Sequence, residues 1–327
     1  MILLGAGHAH LLLIERAKAL REAALDPLLI APKHFHYSGL ATGVLSGALP
    51  EDANRIDVAA LAERHGIAFI EEKAASIDKE AKNVTLRDGR TIGYDLLSLN
   101  IGSEIARPIP GEGEVRPVKP LSQVTHLRFD LEAAFEQGRH PVVVIAGAGP
   151  TGTEVAASIA GLVERRHARA DILLVGRPVE GWESLYADLR ERGVILFADR
   201  RVVERSADHV QLDDGAYLRC DFCVAATGLA PNPLGTSVGA TLQSRDDAAI
   251  FAAGDCAHFL PRTLPMLGVF GVRQAPILAR NLIAAARGEP LRPYRPQRRW
   301  LSILDLGNGE GLATWGNLTH RSRAALH

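Results

Sequence analysis

The stretch that decides the fold is Met1-Ile-Leu-Leu-Gly-Ala-Gly-His-Ala-His10. An apolar strand runs directly into Gly5-x-Gly7, and a helical pattern follows from Leu11 to Leu20. A strand, a tight glycine turn and a helix set backbone N–H groups and the positive end of the helix against a phosphate. On this reading Gly5 makes the turn, and Gly7 lets a dinucleotide pyrophosphate approach the backbone, with His8 and Ala9 at the contact. The third glycine of the fingerprint, which allows close helix–strand packing, is absent. His10 stands there and is expected to pack on or near the ligand. One such turn alone is a weak signal.

The chain strengthens it by repetition. Pro141-Val-Val-Val-Ile145 leads into Gly147-Ala-Gly149-Pro-Thr151-Gly152, an intact Gly-x-Gly-x-x-Gly, and then into a helix from Thr153 to Val163. In both copies a second strand, a hairpin and a third strand follow. The hairpins turn around Asp88-Gly89 and Asp214-Gly215. The third strands, Leu96 to Asn100 and Phe222 to Ala226, run on to Gly102 and Gly228. This internal repeat predicts an α/β fold of two Rossmann-like, doubly wound units. Proline- and glycine-rich crossings at Arg107 to Pro120 and after Pro231 suggest the boundaries. Residues 1–112 and 236–290 are expected to form one discontinuous domain, 113–235 a domain inserted in it, and 291–327 a small C-terminal β element. The strand Ile250 to Ala253 meets Gly254-Asp255, and a helix is expected over Val272 to Ala286. Pro276 requires that this helix start near Gln274 or kink.

Composition narrows the class. The chain has 327 residues, 47% of them hydrophobic, and a formal net charge of −1, so nothing global points to nucleic acid. No apolar run approaches the roughly 20 residues that cross a bilayer. No charged leader precedes the first strand, and three cysteines suit a reducing compartment. The expectation is a cytoplasmic protein, with peripheral membrane contact left open. Oligomeric state is not legible.

Several positions depart from the usual pattern. At the end of the second strand a ribose-binding acid is expected, and Ala31, Pro32 and Lys33 stand there instead. In the second copy Gly176 and Arg177 occupy that place, and an arginine favours a 2′-phosphate. His34 and His36 share a face if extended but have no third ligand, so no metal is expected. Cys220-x-x-Cys223 overlies a strand, where residues three apart face opposite ways; these thiols are expected to be structural.

Two nucleotide turns followed by a late Gly254-Asp255 resemble the pyridine nucleotide–disulfide oxidoreductase superfamily of two-domain flavoproteins, over nearly the whole chain. A nearer likeness is to type II NADH dehydrogenases. Nearer still is the flavoprotein domain fused to, or encoded beside, selenide, water dikinase. That group shares Gly-x-Gly-His-Ala-His, Tyr37-Ser-Gly39, Val118-Lys119-Pro120 and Pro296-Gln297. The resemblance implies that the first unit binds FAD and the second NAD(P)H. Gly5, Gly7, His8, Ala9, His10, Lys33, Asn100, Gly102, Gly254 and Gln274 would then surround the flavin nucleotide, and Asp255 would hold a ribityl hydroxyl. Gly147, Gly149, Thr151, Gly152, Arg177 and Gly228 would hold NAD(P)H. Tyr37, Ser38, Thr42 and Lys119 are expected near the flavin. Glu154 is expected near the nicotinamide, and with Lys119 is the candidate for a catalytic role.

The implied reaction is hydride transfer from NAD(P)H to flavin N5, with electrons passed on to a small-molecule acceptor, a quinone by the dehydrogenase likeness. Disulfide reductases of the superfamily carry a cysteine pair in the region corresponding to Tyr37 to Gly47, which has none here. Sulfide:quinone oxidoreductases need cysteines near the flavin, and none lies between residues 1 and 219. The alternative is a flavin-binding module that serves a partner, in selenium metabolism for example, with little turnover of its own.

Overall fold

The computed structural model describes residues 1–316 and 318–326. The chain is α/β and divides into two compact units. The first comprises Met1–Phe35, Arg55–Glu104 and Ala230–Arg298. Its sheet has the order Ile250–Ala252, Leu97–Leu99, Ile2–Leu4, Leu28–Ala31, Ala68–Glu71, every neighbouring pair parallel. Parallel strands covered on both faces must be apolar throughout; accordingly Ile2, Leu3, Leu4, Leu29, Ile30, Leu97 and Leu99 are all buried. The chain builds outward from the central first strand on one flank, then returns to pair with its other flank. That reversal places a crevice at the carboxyl ends of Ile2–Leu4 and Leu97–Leu99. A three-stranded antiparallel sheet, Ala74–Asp78, Asn83–Leu86 and Thr91–Gly93, contains the hairpin expected around Asp88-Gly89.

The first glycine turn is closed by internal contacts. Gly5 takes a left-handed φ of 84°; its N–H donates to Ile30 O, and that of Gly7 to Asn100 O. A side chain at Gly7 would collide with the Asn100 amide, so the missing Cβ is needed inside the protein as well as by any ligand. His10 is fully buried. Its Nδ1 lies 2.6 Å from Gly5 O and its Nε2 2.8 Å from Ser98 Oγ. A carbonyl only accepts, so Nδ1 carries the hydrogen and Nε2 accepts from the Ser98 hydroxyl. Burial holds its pKa down at about 4, against the opposing hydrogen bond to Gly5. His10, expected on or near the ligand, is turned inward from the glycine turn. It is a neutral strut beneath the turn, and Ala9 beside it is equally buried.

Asn100, at the end of the strand Leu97–Leu99, ties the helix His8–Ile14 to the end of the strand Ile250–Ala252. Its Oδ1 accepts from His10 N at 3.1 Å, and its Nδ2 donates to Ala253 O at 2.6 Å. The helical pattern from Leu11 to Leu20 resolves into two helices, His8–Ile14 and Ala17–Glu22.

The second unit comprises residues 36–54 and 105–229 and the chain from Arg299 onward. Its parallel sheet repeats the first: Val115–Pro117, Phe222–Ala225, Val142–Ala146, Asp171–Gly176, Val194–Ala198. Here too the reversal falls beside the strand that leads into the glycine turn. Residues 36–54 and the last segment were expected elsewhere, and the reason they join this unit is long-range hydrogen bonding. Arg128 Nη1 donates to Val44 O and Leu49 O, each at 2.9 Å. Arg165 Nη1 donates to Ser46 O and Gly307 O. Leu45, Leu304, Leu306 and Leu312 enter the core of this unit. The C-terminal sheet begins at Leu301, with strands Leu301–Asp305, Gly311–Trp315 and Leu318–Ser322. Residues 291–298 stay with the first unit.

If Asn100 is the tie described, Asn100→Ala leaves His10 N buried without a partner and Ala253 O with only the weak Cys256 thiol as donor. Each such group costs about 1–3 kcal/mol. Urea unfolding of the variant should show a stability loss of that order or larger. A variant within about 0.5 kcal/mol of the parent, the range of an ordinary surface substitution, would show that the amide bears no such load.

Candidate nucleotide-binding sites

In the first unit the carboxyl edge of the sheet brings together Gly5, Lys33, Asn100, Gly102, Gly254 and Asp255, the ends of four neighbouring strands. Gly254 has a φ of 72°, and its N–H donates to Gln274 Oε1 at 2.7 Å. Asp255 Oδ2 accepts from Ser103 Oγ at 2.9 Å. Gln274 is buried and so positions the Gly254 turn from behind. Its helix spans Gly268–Arg287 and runs through Pro276, starting earlier than expected. Gly268 and Gly271 explain this. A Cβ on Gly268 would strike the His8 ring, and one on Gly271 would touch His8 Cβ, so these glycines let the helix lie close against His8–Ile14. His8 is itself held edge-on to Phe35, ring centroids 5.0 Å apart. Gly102, at φ 76°, faces open space, and no acidic residue occupies the first turn of His8–Ile14. These residues fit a flavin dinucleotide, whose phosphates need an edge without opposing charge and whose ribityl chain needs an acceptor.

In the second unit the glycines divide the labour. Gly147 has φ 114°, and a Cβ there would overlap Ala226 O; one on Gly152 would overlap Gly147 O. Both are required by packing. Gly149 faces open space and is the extended N-cap of Pro150–Arg165, with Pro150 at a helix start where no N–H is missed. It is the glycine over which a pyrophosphate has room to approach. Thr151 is exposed in the same first turn. Tyr186 supports the turn from below: its hydroxyl donates to Ala148 O and accepts from Val179 N, each at 2.9 Å. Gly228, at φ 93°, and Lys119 follow the neighbouring strands at the same edge. This donor set fits a pyridine dinucleotide.

Arg177 lies at the far end of this edge with its side chain 90% exposed, Nε 3.9 Å from Asp199 Oδ1. A cleft of about 560 Å³ is lined by Arg177, Tyr186, Arg190, Leu196 and Asp199, among others. An acid, Asp199, stands beside Arg177 at the end of the neighbouring strand Val194–Ala198. Neither Asp199 nor Arg190 carries a local sequence signal; both become visible only when the strands are placed side by side.

Glu154 sits one turn into the helix Pro150–Arg165. Its Oε1 accepts from Asp305 N at 3.0 Å and from Thr42 Oγ1 at 3.2 Å. Burial pushes its pKa up to about 7; the two hydrogen bonds oppose this, and the nearby Asp305 carboxylate adds to it. Thr42, expected near the flavin, is therefore a partner of Glu154 within the second unit. Tyr37 and Ser38 belong to the same unit.

All three cysteines are buried free thiols. The expectation that Cys220 and Cys223 face apart is corrected. Cys220 precedes the strand Phe222–Ala225, so the alternation of strand residues does not apply to it. The two thiols are close enough to interact, which lowers the pKa of Cys220 and raises that of Cys223. Among the described residues no helix is long and apolar enough to cross a membrane.

Residues 1–275 match the family described as pyridine nucleotide-disulphide oxidoreductase. The chain is 27% identical to the nitric oxide reductase FlRd-NAD(+) reductase of Pectobacterium atrosepticum, over 90% of this chain and 81% of that protein. It is 27% identical to the probable ferredoxin reductase CtmF of Castellaniella defragrans, over 92% and 78%. Among solved structures it resembles NDH2 from Plasmodium falciparum in complex with NADH, with a TM-score of 0.81 at 13% identity, covering 98% and 91% of the two chains. The sulfide:quinone oxidoreductase of Aquifex aeolicus gives 0.78 at 20% identity, covering 99% and 87%. With both glycine turns at the reversal points of their sheets, the chain belongs to the pyridine nucleotide-disulphide oxidoreductase family, whose cofactors, FAD and NAD(P)H, are its own.

Proposed function

We propose that this chain is an FAD-dependent NAD(P)H dehydrogenase that works without a redox-active disulfide, its first unit holding FAD and its second NAD(P)H. The observation that carries the reading is the repeat: each sheet has its own glycine turn at its own reversal point. The absence of cysteine from the first 219 residues supports flavin chemistry without a cysteine pair at that turn. When both cofactors are bound, NAD(P)H supplies a hydride to flavin N5 and the electrons leave to an acceptor.

The residues bind, orient and hold a proton. Gly5 and Gly102 shape the first site, with Asp255 as acceptor for the flavin's ribityl chain and Gln274 fixing the turn that carries it. Gly149 and Thr151 receive the pyrophosphate of NAD(P)H; Arg177 and Arg190 can meet a ribose phosphate and Asp199 can accept from a ribose hydroxyl, so the cleft suits either nucleotide. Glu154 is the proton carrier. Oε1 already accepts two hydrogen bonds, so the proton resides on Oε2, and a pKa of about 7 allows uptake and release near neutrality. The acceptor is a small electron-accepting molecule of the quinone type. The names of the relatives add a protein carrier such as a ferredoxin as the comparison substrate.

Anaerobic mixing with NADH or NADPH, followed by flavin absorbance, tests the assignment. Gly149 has an ordinary φ of −71° and open space around it, so Gly149→Val should fold and retain FAD. Its side chain would occupy the room the pyrophosphate needs, and flavin reduction by NAD(P)H should slow by about 100-fold or more, while dithionite still bleaches the flavin. Reduction at the parental rate would remove the second turn from the donor site. Following turnover with a soluble quinone and with a ferredoxin then separates the acceptor classes.

Glu154 gives a pH test. Its native pKa of about 7 stands above the ordinary 4.5, so the folded protein binds the extra proton between these values. The stability tied to this group is full below pH 4.5 and is lost as pH rises to about 7. In Glu154→Gln that loss should vanish, so the variant's Tm should gain on the parent's as pH rises through this window. A Tm difference that does not change with pH would show that the carboxyl titrates normally.

A further inference from the structure

The helix Gly268–Arg287 presents Gln274 to the Gly254 turn. A different face of the same helix forms one wall of a cleft of about 830 Å³, which includes Pro276, Ile277, Arg280, Ile283 and Arg287. The cleft lies wholly in the first unit and is absorbed by neither nucleotide site. Its floor is apolar: Ala19, Ile277, Ile283, Leu291 and the two prolines 276 and 290. Its rim carries Arg16, Arg280, Arg287 and Arg292 against a single acid, Glu289. None of the four arginines enters an ion pair among the described residues. The chain as a whole has a formal charge of −1, so this surplus of positive charge is local.

The far wall is fixed. Gly288 closes the helix at φ 69°, and Glu289 N donates back to Ala284 O. Asn281, buried in the helix, then grips Arg292 from both sides, accepting from its N–H and donating to its carbonyl, each at 2.8 Å. Arg280 and Arg287 stand seven residues apart, about 10 Å along the helix axis and on one side of it. A guanidinium takes a carboxylate in a two-point fork, and the volume is of the size that holds a small molecule.

We infer that this cleft binds an amphipathic carboxylate, with its acid on the arginine rim and its chain on the Ile277–Ile283–Leu291 floor. An inorganic anion would leave the floor in water, and a neutral hydrophobe would leave the arginines unanswered. A ligand with both parts satisfies both.

Decanoate is the probe, titrated calorimetrically into the FAD-loaded protein below its micelle concentration, with inorganic phosphate and 1-decanol as the two halves of its chemistry. Decanoate should bind saturably at one per chain and more weakly as salt rises. It should bind roughly ten- to a hundredfold more weakly to Arg280→Gln/Arg287→Gln. Those side chains are exposed, so flavin content and reduction by NAD(P)H should be unchanged in the double variant, which shows that it is folded. Absence of saturable decanoate binding overturns the inference. So does equal affinity in parent and variant, or phosphate or decanol binding as tightly as decanoate.

Discussion

A parallel sheet that grows outward from its first strand on one flank and then fills the other must leave a gap at one edge. There, two neighbouring strands send their chains away in opposite directions. Both units of this protein carry such a reversal beside the central strand, although in the second the edge strand Val115–Pro117 precedes it in the chain. Strand Ile2–Leu4 lies between Leu28–Ala31 and Leu97–Leu99, and Val142–Ala146 between Asp171–Gly176 and Phe222–Ala225. The glycine turns follow these central strands, so each one opens onto its own gap. The rest of the chemistry depends on this placement, because a glycine turn elsewhere on the sheet would have no crevice to serve.

The two turns solve one packing problem differently. In the second, Gly152 lets the helix approach until Gly147 O fills the place of its side chain. In the first, an imidazole takes the third glycine's position and must be accommodated. Ser98 and Gly5 give both ring nitrogens a partner, and Asn100 takes the backbone N–H of His10. A buried polar side chain is tolerable only when its hydrogen bonds are satisfied, and here His10, Ser98 and Asn100 form the network that accommodates the ring. Glu154 sits at the opposite extreme: its two hydrogen bonds offset burial only in part, which leaves its proton exchangeable.

Much of this was legible in the chain itself. Gly5-x-Gly7, Gly147 to Gly152 and their apolar strands announce two doubly wound units, because a strand buried on both faces has few alternatives to valine, leucine and isoleucine. What could not be read depends on partners distant in sequence. Nothing around Tyr37 says that its segment belongs with the second unit; that follows from Arg128 reaching Val44 and Leu49. Asp305 lies 151 residues from the carboxylate to which it donates. Cys220 and Cys223 misled because strand alternation was applied to a residue that stands before the strand. The helix start at Gly268 was hidden because its glycines look like a loop, while their role is to let His8 and Ala9 come close.

The segmentation of the units bears on how the molecule is made. Each is assembled from three separate lengths of chain, and each is interrupted by parts of the other. The first sheet lacks its fifth strand until Ile250–Ala252 has left the ribosome, and the second lacks the sheet that begins at Leu301 until later still. Native pairing therefore rests on contacts of long sequence separation, the kind that slow folding and prolong exposure of apolar strands. A chain paused after Leu229 would carry a first sheet with the edge of Leu97–Leu99 still open and a second unit without its C-terminal sheet, a state for chaperones to cover.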